Sequence, residues 1–459
     1  SLLKTPAVGK RLSRQRAMIL QLLLDNGPML MPALKAHLPT AAALVRAMAE
    51  AGLVAVREQE VFRDPFGEPI APDQAPTLTE EQDQAVATLS EILGRGFQTC
   101  LLAGVTGSGK TEVYLRMAAL ALDRGLPVLV LIPEIALITQ MERAFRARFG
   151  NCVALLHSGL SRGARYDQWR RIAEGDFPIA IGARSAIFAP FDRLGLIIVD
   201  EEHDDSYKQE GALRYNARDL AVVRGRQNGA LVILGSATPS LQSAYNVETG
   251  KFKPVYLWQR VDRSVLPRIH VEDLGALREE RGLRRYLSPA LLTAMRQTLE
   301  RREQVLLFLN RRGFANTLVC GTCGQPLRCD RCDISLTYHQ GSNAYKCHYC
   351  GLTKAALTRC GQCGSGRIKR LGIGTERLET ELQALFPDAR LARMDRDTTR
   401  RKGAIVKILK ALRQRRIDIL IGTQMVAKGH DYPHITLVGI ICADLSLNLP
   451  DFRAGERTF

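Results

Sequence analysis

Eight consecutive residues, Gly104, Val105, Thr106, Gly107, Ser108, Gly109, Lys110 and Thr111, have the glycine spacing, lysine and hydroxyl of a phosphate-binding P-loop. Glycines let backbone N–H groups curl around phosphate oxygens at a helix N-terminus, the lysine adds a mobile positive charge, and the Thr111 hydroxyl is suited to ligate Mg²⁺. Ninety residues on, Asp200, Glu201, Glu202 and His203 follow the apolar run Leu196 to Val199. An aspartate at the carboxyl end of a strand is where a second Mg²⁺ partner belongs, and the neighbouring Glu201 is the candidate general base for an attacking water. Lys110, Asp200 and Glu201 are therefore the expected catalytic set, with His203 placed to relay nucleotide state.

A second chemistry is written in four Cys-x-x-Cys pairs: Cys320 and Cys323, Cys329 and Cys332, Cys347 and Cys350, Cys360 and Cys363. Each tight turn presents two thiolates, so eight sulfurs make two closed tetrahedral zinc sites with no position left open for catalysis. Spacing alone permits sequential or nested pairing. His339 and His348 read as surface residues, and Cys100, Cys152 and Cys442 as buried packing residues.

The elements around these residues read as follows. From Leu78 to about Val255, strand-like runs (Thr99 to Ala103, Val128 to Ile132, Ile179 to Ile181, Leu196 to Val199, Leu231 to Leu234) alternate with helical patterns, which is the signature of a parallel α/β sheet. The alternation resumes after Pro267 with Val305 to Leu309, Ile417 to Ile421 and Leu437 to Ile441, interrupted by the cysteines. Ser13 to Val54 shows three short helical blocks, and Val54 to Phe62 alternates like a hairpin, together resembling a winged helix. The expected organisation is a winged-helix-like domain over 1–66, a proline-rich linker over 67–77 and an ATP-binding RecA-like lobe over 78–262. A second, incomplete RecA-like lobe covers 263–317 and 367–459, with the double zinc insertion at 318–366.

At 459 residues the chain exceeds what one core serves, and 46% hydrophobic with 24% charged residues excludes a disordered or fibrous protein. Sixty-four Lys and Arg against 47 Asp and Glu leave +17, a balance that favours a polyanionic partner. The longest apolar stretch, Val128 to Ile132, is far below the ~18 residues of a membrane span, and no export signal precedes it. A cytoplasmic protein without membrane contact is expected.

With these motifs in place, the chain resembles a superfamily 2 helicase, and further stretches are similar to the primosomal replication-restart helicases. The resemblance implies an adenine contact for Gln82, DNA-strand contacts for Thr139, Gln140, Arg184 and Ser185, and a coupling loop through Ser236 and Thr238. The loop Asp204 to Tyr215 resembles that family's aromatic-rich single-strand sensor, implying DNA contacts for Tyr207, Lys208, Arg214 and Tyr215. In the second lobe it implies DNA contacts for Arg311, Arg312, Thr375 and Thr423 and an ATP contact for Asp431. It also implies nested zinc pairing: Cys320, Cys323, Cys360 and Cys363 on one metal, and Cys329, Cys332, Cys347 and Cys350 on the other.

The function so implied is an ATP-dependent, 3′-to-5′ DNA helicase that acts at abandoned forks and starts primosome assembly. Its cofactors are ATP, Mg²⁺ and two Zn²⁺; its partners are forked and single-stranded DNA, single-strand DNA-binding protein and other primosome proteins. Two other readings stay open, a fork-binding scaffold and another translocase or RNA helicase. The sequence starts after the family's 3′-end-binding domain and stops before its arginine-finger motif, so this stretch is expected to bind ATP but hydrolyse it poorly.

Overall fold

The computed structural model describes residues 13–57, 70–211, 213–262, 265, 267–274, 286–309, 318–332, 334–339, 344–355, 359–370, 375–395, 398, 404–423, 432–448, 451 and 453–458. The chain divides into two compact units, Ser1–Gly67 and Glu68–Phe459. The first holds α1 (Arg14–Asn26), α2 (Met31–His37) and α3 (Ala41–Glu50) around Ile19, Leu23, Leu34, Val45 and Met48. Ser13 caps α1, and Pro32 in the first turn of α2 forfeits only an N–H that has no helical partner anyway. The hairpin expected up to Phe62 falls mostly outside the described residues.

Lobe 1 opens with α4 (Glu80–Ile92), then β1 (Gln98–Gly104), α5 (Lys110–Asp123), β2 (Val128–Leu131), α6 (Ile135–Phe149), β3 (Val153–Leu156), α7 (Arg162–Ala173), β4 (Ile179–Gly182) and β5 (Leu196–Val199). A small ribbon, β6 (Lys208–Gln209) with β7 (Tyr215–Asn216), precedes α8 (Ala217–Asn228), β8 (Leu231–Ser236), α9 (Leu241–Glu248) and β9 (Lys253–Leu257). Seven strands form a parallel sheet in the order β3-β4-β2-β5-β8-β1-β9. Its central strands are apolar on both faces because helices cover both, so β2, β5 and β8 are buried at every position.

Lobe 2 repeats the plan with α10 (Pro289–Glu300), β10 (Gln304–Leu309), the cysteine module, α11 (Thr375–Leu385), β16 (Leu391–Met394), α12 (Ala404–Arg413), β17 (Ile419–Gly422), β18 (Ile435–Ile441) and α13 (Ala454–Thr458). Its sheet is parallel in the order β16-β17-β10-β18. The module between β10 and α11 comprises β11 (Leu318–Cys320), β12 (Thr337–His339), β13 (Ala344–Lys346), β14 (Thr353–Ala355) and β15 (Ile368–Arg370). β11 pairs antiparallel with β15, and β12-β13-β14 form a separate meander. Two parallel α/β lobes with a cysteine-rich insertion in the second match the expected fold class. Among the described residues, no helix is long and apolar enough to cross a membrane.

Several core contacts leave room for nothing larger than glycine. A Cβ on Gly235 in β8 would lie 1.7 Å from the Tyr114 hydroxyl of α5, so the smallest residue at this position admits a fully buried tyrosine under the sheet edge. Gly235→Ala is expected to destabilise the protein by about 1–3 kcal/mol, partly relieved when Tyr114→Phe is added. Denaturant unfolding of the two variants checks both outcomes.

Candidate functional site at the sheet edge

β1 ends at Gly104, and the chain turns through the P-loop into α5, whose first residue is Lys110. Gly107 (φ 81°) and Gly109 (φ 78°) adopt left-handed conformations that a side chain would strain. Around Gly109 the space is closed as well, since a Cβ would meet the Gln82 amide at 2.2 Å. Gln82 belongs to a capping box with Thr79 at the start of α4, and its Nε2 donates to the Ser108 carbonyl at 2.9 Å. The expected adenine reader thus braces the P-loop. On the far side the loop is held by Val105 N–H to the Leu257 carbonyl and Val261 N–H to the Gly107 carbonyl, both 3.0 Å.

The cradle fits a phosphate group. Its buried Ser108 hydroxyl has no hydrogen-bond partner among the described residues, and Lys110 Nζ donates to the Gly104 carbonyl at 2.8 Å. Burial holds the Lys110 pKa below the ordinary lysine value, while Glu201 and Asp200 oppose the shift. Strands β5 and β1 lie on either side of β8 and run parallel, so Asp200 and the P-loop emerge at the same edge. Tyr114, one turn into α5, closes the gap by donating to Asp200 Oδ1 at 2.9 Å.

Asp200 keeps some solvent contact as a residue, yet its carboxyl is desolvated. Burial first, and the negative charge of Glu201 second, push its pKa up to about 6 against the lowering effects of Tyr114 and Lys110. A carboxylate held this way would be stabilised in its charged form by a dication, which would supply the missing countercharge. Glu201 itself has φ 47°, an uncommon conformation for a non-glycine residue that costs energy and is retained here directly beside Asp200.

The rest of the acidic box faces the loop after β8. His203 Nδ1 lies 2.8 Å from Ser236 Oγ and 3.5 Å from Glu201, and Ser236 Oγ accepts the Thr238 N–H at 3.0 Å. His203, Ser236 and Thr238 are therefore in one network. Glu202, for which the sequence suggested no role, is almost fully buried. Its carboxylate accepts Ser240 N–H (2.7 Å), Ser240 Oγ (3.0 Å), Ser243 Oγ (2.8 Å) and Arg218 Nη1 (3.1 Å). A buried charge is tolerable only with such partners, and here they fasten the acidic box to the N-terminus of α9.

Two expected DNA contacts require correction, those of Tyr207 and Thr375. Tyr207 is 0% exposed, and its hydroxyl donates to the Leu131 carbonyl (2.9 Å) and the Asp200 carbonyl (2.6 Å), so its ring offers no face to a base. Arg184 is turned onto the same loop, donating to the carbonyls of Ser206 (2.9 Å) and Lys208 (2.6 Å). Thr375 is also 0% exposed, its hydroxyl committed to Asp395 at 2.7 Å. Thr139, Gln140, Ser185, Lys208 and Arg214 are exposed, and Tyr215 is half-buried edge-to-face with the exposed Phe188. Phe188 is an aromatic that the motif reading missed. Thr423 directly follows β17, whereas Arg311, Arg312 and Asp431 lie outside the described residues.

In the module, Cys320, Cys323, Cys360 and Cys363 bring their sulfurs within 4.8 Å of one another, as do Cys329, Cys332, Cys347 and Cys350. The nested pairing is thus the one present. Four knuckles share one construction: the N–H groups of Cys320, Cys329, Cys347 and Cys360 donate to the carbonyls of Gln325, Ile334, Leu352 and Ser365. Sulfur separations of 3.5 Å (Cys320 to Cys363) and 3.7 Å (Cys323 to Cys360, Cys329 to Cys350) approach the ~3.8 Å that ~2.3 Å Zn–S bonds impose on a tetrahedron.

Electrostatics agrees with a metal centre. Backbone N–H groups of Cys323 and Thr322 bring the Cys320 thiol down to about 6, while neighbouring sulfurs push Cys332 and Cys363 up to about 12. Four thiolates this close need a cation. His339 and His348 approach each other at 3.3 Å but stand outside both quartets. Tyr345 is buried and Tyr338 packs on it, leaving Tyr349 as the exposed tyrosine of the module among the described residues. Cys152 is exposed, contrary to the packing role expected of it; Cys100 and Cys442 are buried.

A P-loop and an acidic strand end joined at one sheet edge, a second lobe of the same build, and a two-site cysteine insertion define a two-lobed P-loop core. The DEAD/DEAH box helicase family matches residues 79–247, and the PriA DNA helicase Cys-rich region (CRR) domain matches residues 329–354. The replication restart protein PriA of Bacillus subtilis is 44% identical over 424 residues, covering 92% of this chain and 52% of that protein. The PriA of Haemophilus influenzae is 46% identical over 380 residues, covering 83% and 52%, and that of a Synechocystis species 43% over 445 residues, covering 95% and 53%. The chain is thus similar to the replication restart proteins PriA and spans about half the length of these curated relatives.

The raised Asp200 pKa has a measurable consequence. Because the folded value lies above the 3.8 of an ordinary aspartate, the carboxyl's contribution to stability is complete below about pH 4 and is lost as pH rises through about 6. Asp200→Asn is therefore expected to stabilise the nucleotide-free protein at about pH 7.5, by of the order of 1–2 kcal/mol after allowance for its solvent contact. The gap should close toward about pH 4, which urea titrations of parent and variant at the two pH values measure.

Proposed function

We propose that this chain is the motor core of an ATP-dependent 3′-to-5′ DNA helicase that recognises and remodels stalled or abandoned replication forks and initiates primosome assembly. The observation carrying this reading is the Tyr114 bridge, which places a P-loop and an acidic strand end around a single point. Substrate, polarity and partners rest on the resemblance to the replication-restart helicases, which the similarity to proteins named replication restart protein PriA supports. The partners are forked and single-stranded DNA, single-strand DNA-binding protein and other primosome proteins, met in the cytoplasm at the nucleoid.

In this reading Gly104 to Thr111 cradle the ATP phosphates, Lys110 neutralises developing charge, and Thr111 with Asp200 holds Mg²⁺. Gln82 and Asp431 complete the nucleotide site. Bound Mg²⁺ would polarise the terminal phosphate, while Glu201 accepts a proton from the water that attacks it. His203, through Ser236, then reports the change to the loop carrying Thr238. Thr139, Gln140, Ser185, Lys208, Arg214, Arg311, Arg312 and Thr423 hold the strand, and Phe188 with Tyr215 offers the aromatic surface that Tyr207 does not. The cysteine quartets hold two structural Zn²⁺ ions, and residues 1–66 form a winged-helix-like domain.

Lys110→Ala in the full-length protein is expected to abolish DNA-stimulated ATP hydrolysis, and unchanged hydrolysis would reject the site assignment. Strand displacement on matched DNA and RNA forks separates a DNA helicase from an RNA helicase. Elemental analysis should find about two zinc atoms per chain, with one lost in Cys347→Ser; iron, or no metal, would overturn the zinc reading.

A further inference from the structure

Helix α13 belongs to lobe 2 by sequence, yet two consecutive side chains on it reach lobe 1. Arg457 grips Asp205 with both prongs, Nη2 to Oδ1 at 2.9 Å and Nε to Oδ2 at 2.5 Å, and Asp451 holds the third edge of its guanidinium. Glu456 Oε1 accepts the N–H of Leu241, the first residue of α9, at 2.9 Å. The charges suit their targets: a carboxylate sits at a helix N-terminus, where unsatisfied N–H groups attract it, and a guanidinium forms a forked pair with a carboxylate.

Both attachment points lead directly to the nucleotide site. Asp205 starts the short turn Asp205–Tyr207, and Tyr207 hydrogen-bonds the carbonyl of Asp200 at 2.6 Å. Leu241 follows Ser240, whose N–H and hydroxyl are both held by Glu202. A shift of the acidic box therefore moves Asp205 and the α9 N-terminus together, and each carries one of the two α13 contacts.

We infer that Glu456 and Arg457 are positioning residues that register lobe 2 on the acidic box of lobe 1 and transmit its nucleotide state across the cleft. The inference rests on the motor reading above. At about one-third exposure, the Arg457–Asp205 pair is solvated enough to break and re-form, as a contact that changes with each cycle must.

The test uses the full-length protein with one dye on each lobe, and reads both the inter-lobe distance change on adding a non-hydrolysable ATP analogue and DNA-stimulated hydrolysis. Arg457→Asp and Asp205→Arg are each expected to lose the distance change and to lower stimulated hydrolysis roughly tenfold, with ATP affinity held within about twofold. Glu456→Gln should give a smaller loss. The swapped double variant, Asp205→Arg with Arg457→Asp, should recover most of both signals, because it restores the pair in reverse. Single variants that behave like the parent, or a double variant no better than the singles, would overturn the inference. Failure of the motor reading shows separately, as hydrolysis in the parent that Lys110→Ala leaves intact.

Discussion

The hydrogen bond from Tyr114 to Asp200 is the constraint on which the rest of the site depends. It ties the helix that follows the phosphate loop to the strand end that carries the acidic box, across an intervening strand that must be glycine at position 235 to let the ring through. Because the bond also lowers the Asp200 pKa against burial and Glu201, it favours ionisation in a setting that otherwise resists it. Geometry and protonation state are thus set by one contact, and neither lobe's core would supply it by packing alone.

Around that contact the polar residues divide into those that keep some solvent contact and those that are buried and hold the backbone still. Lys110, Thr111 and Glu201 belong to the first group. Gln82, Glu202, Arg218 and Tyr207 belong to the second, each using a buried or half-buried polar group to fix a backbone segment. Buried polar groups are costly unless fully partnered, so a network of this kind keeps a unique arrangement where apolar packing would tolerate several.

Much of this was legible in the sequence for a simple reason: the phosphate loop, the acidic box and the cysteine knuckles are contiguous, and local chain geometry dictates their residues. The parallel lobes were legible too, since strands buried on both faces must be apolar throughout. What escaped were contacts between residues far apart in the chain. Tyr114 and Asp200 are 86 residues apart, Glu202 and Ser243 41, and no local pattern announces either pair. Tyr207 misled for the converse reason, because an aromatic in a polar loop looks the same in sequence whether its ring turns outward or, as here, inward. The nested cysteine pairing followed from family likeness, and its physical ground is the antiparallel pairing of β11 with β15.

That pairing has a topological outcome. It brings Leu318 and Arg370, near the entry and exit of the insertion, side by side, and the outer sulfur quartet, with Cys320 at the end of β11 and Cys363 ahead of β15, rivets the same neck. An excursion anchored this way adds little closure entropy to its host. The module's two ends are thus fastened to each other by its own strands and sulfurs, so the meander between them can vary in outline without loosening that closure.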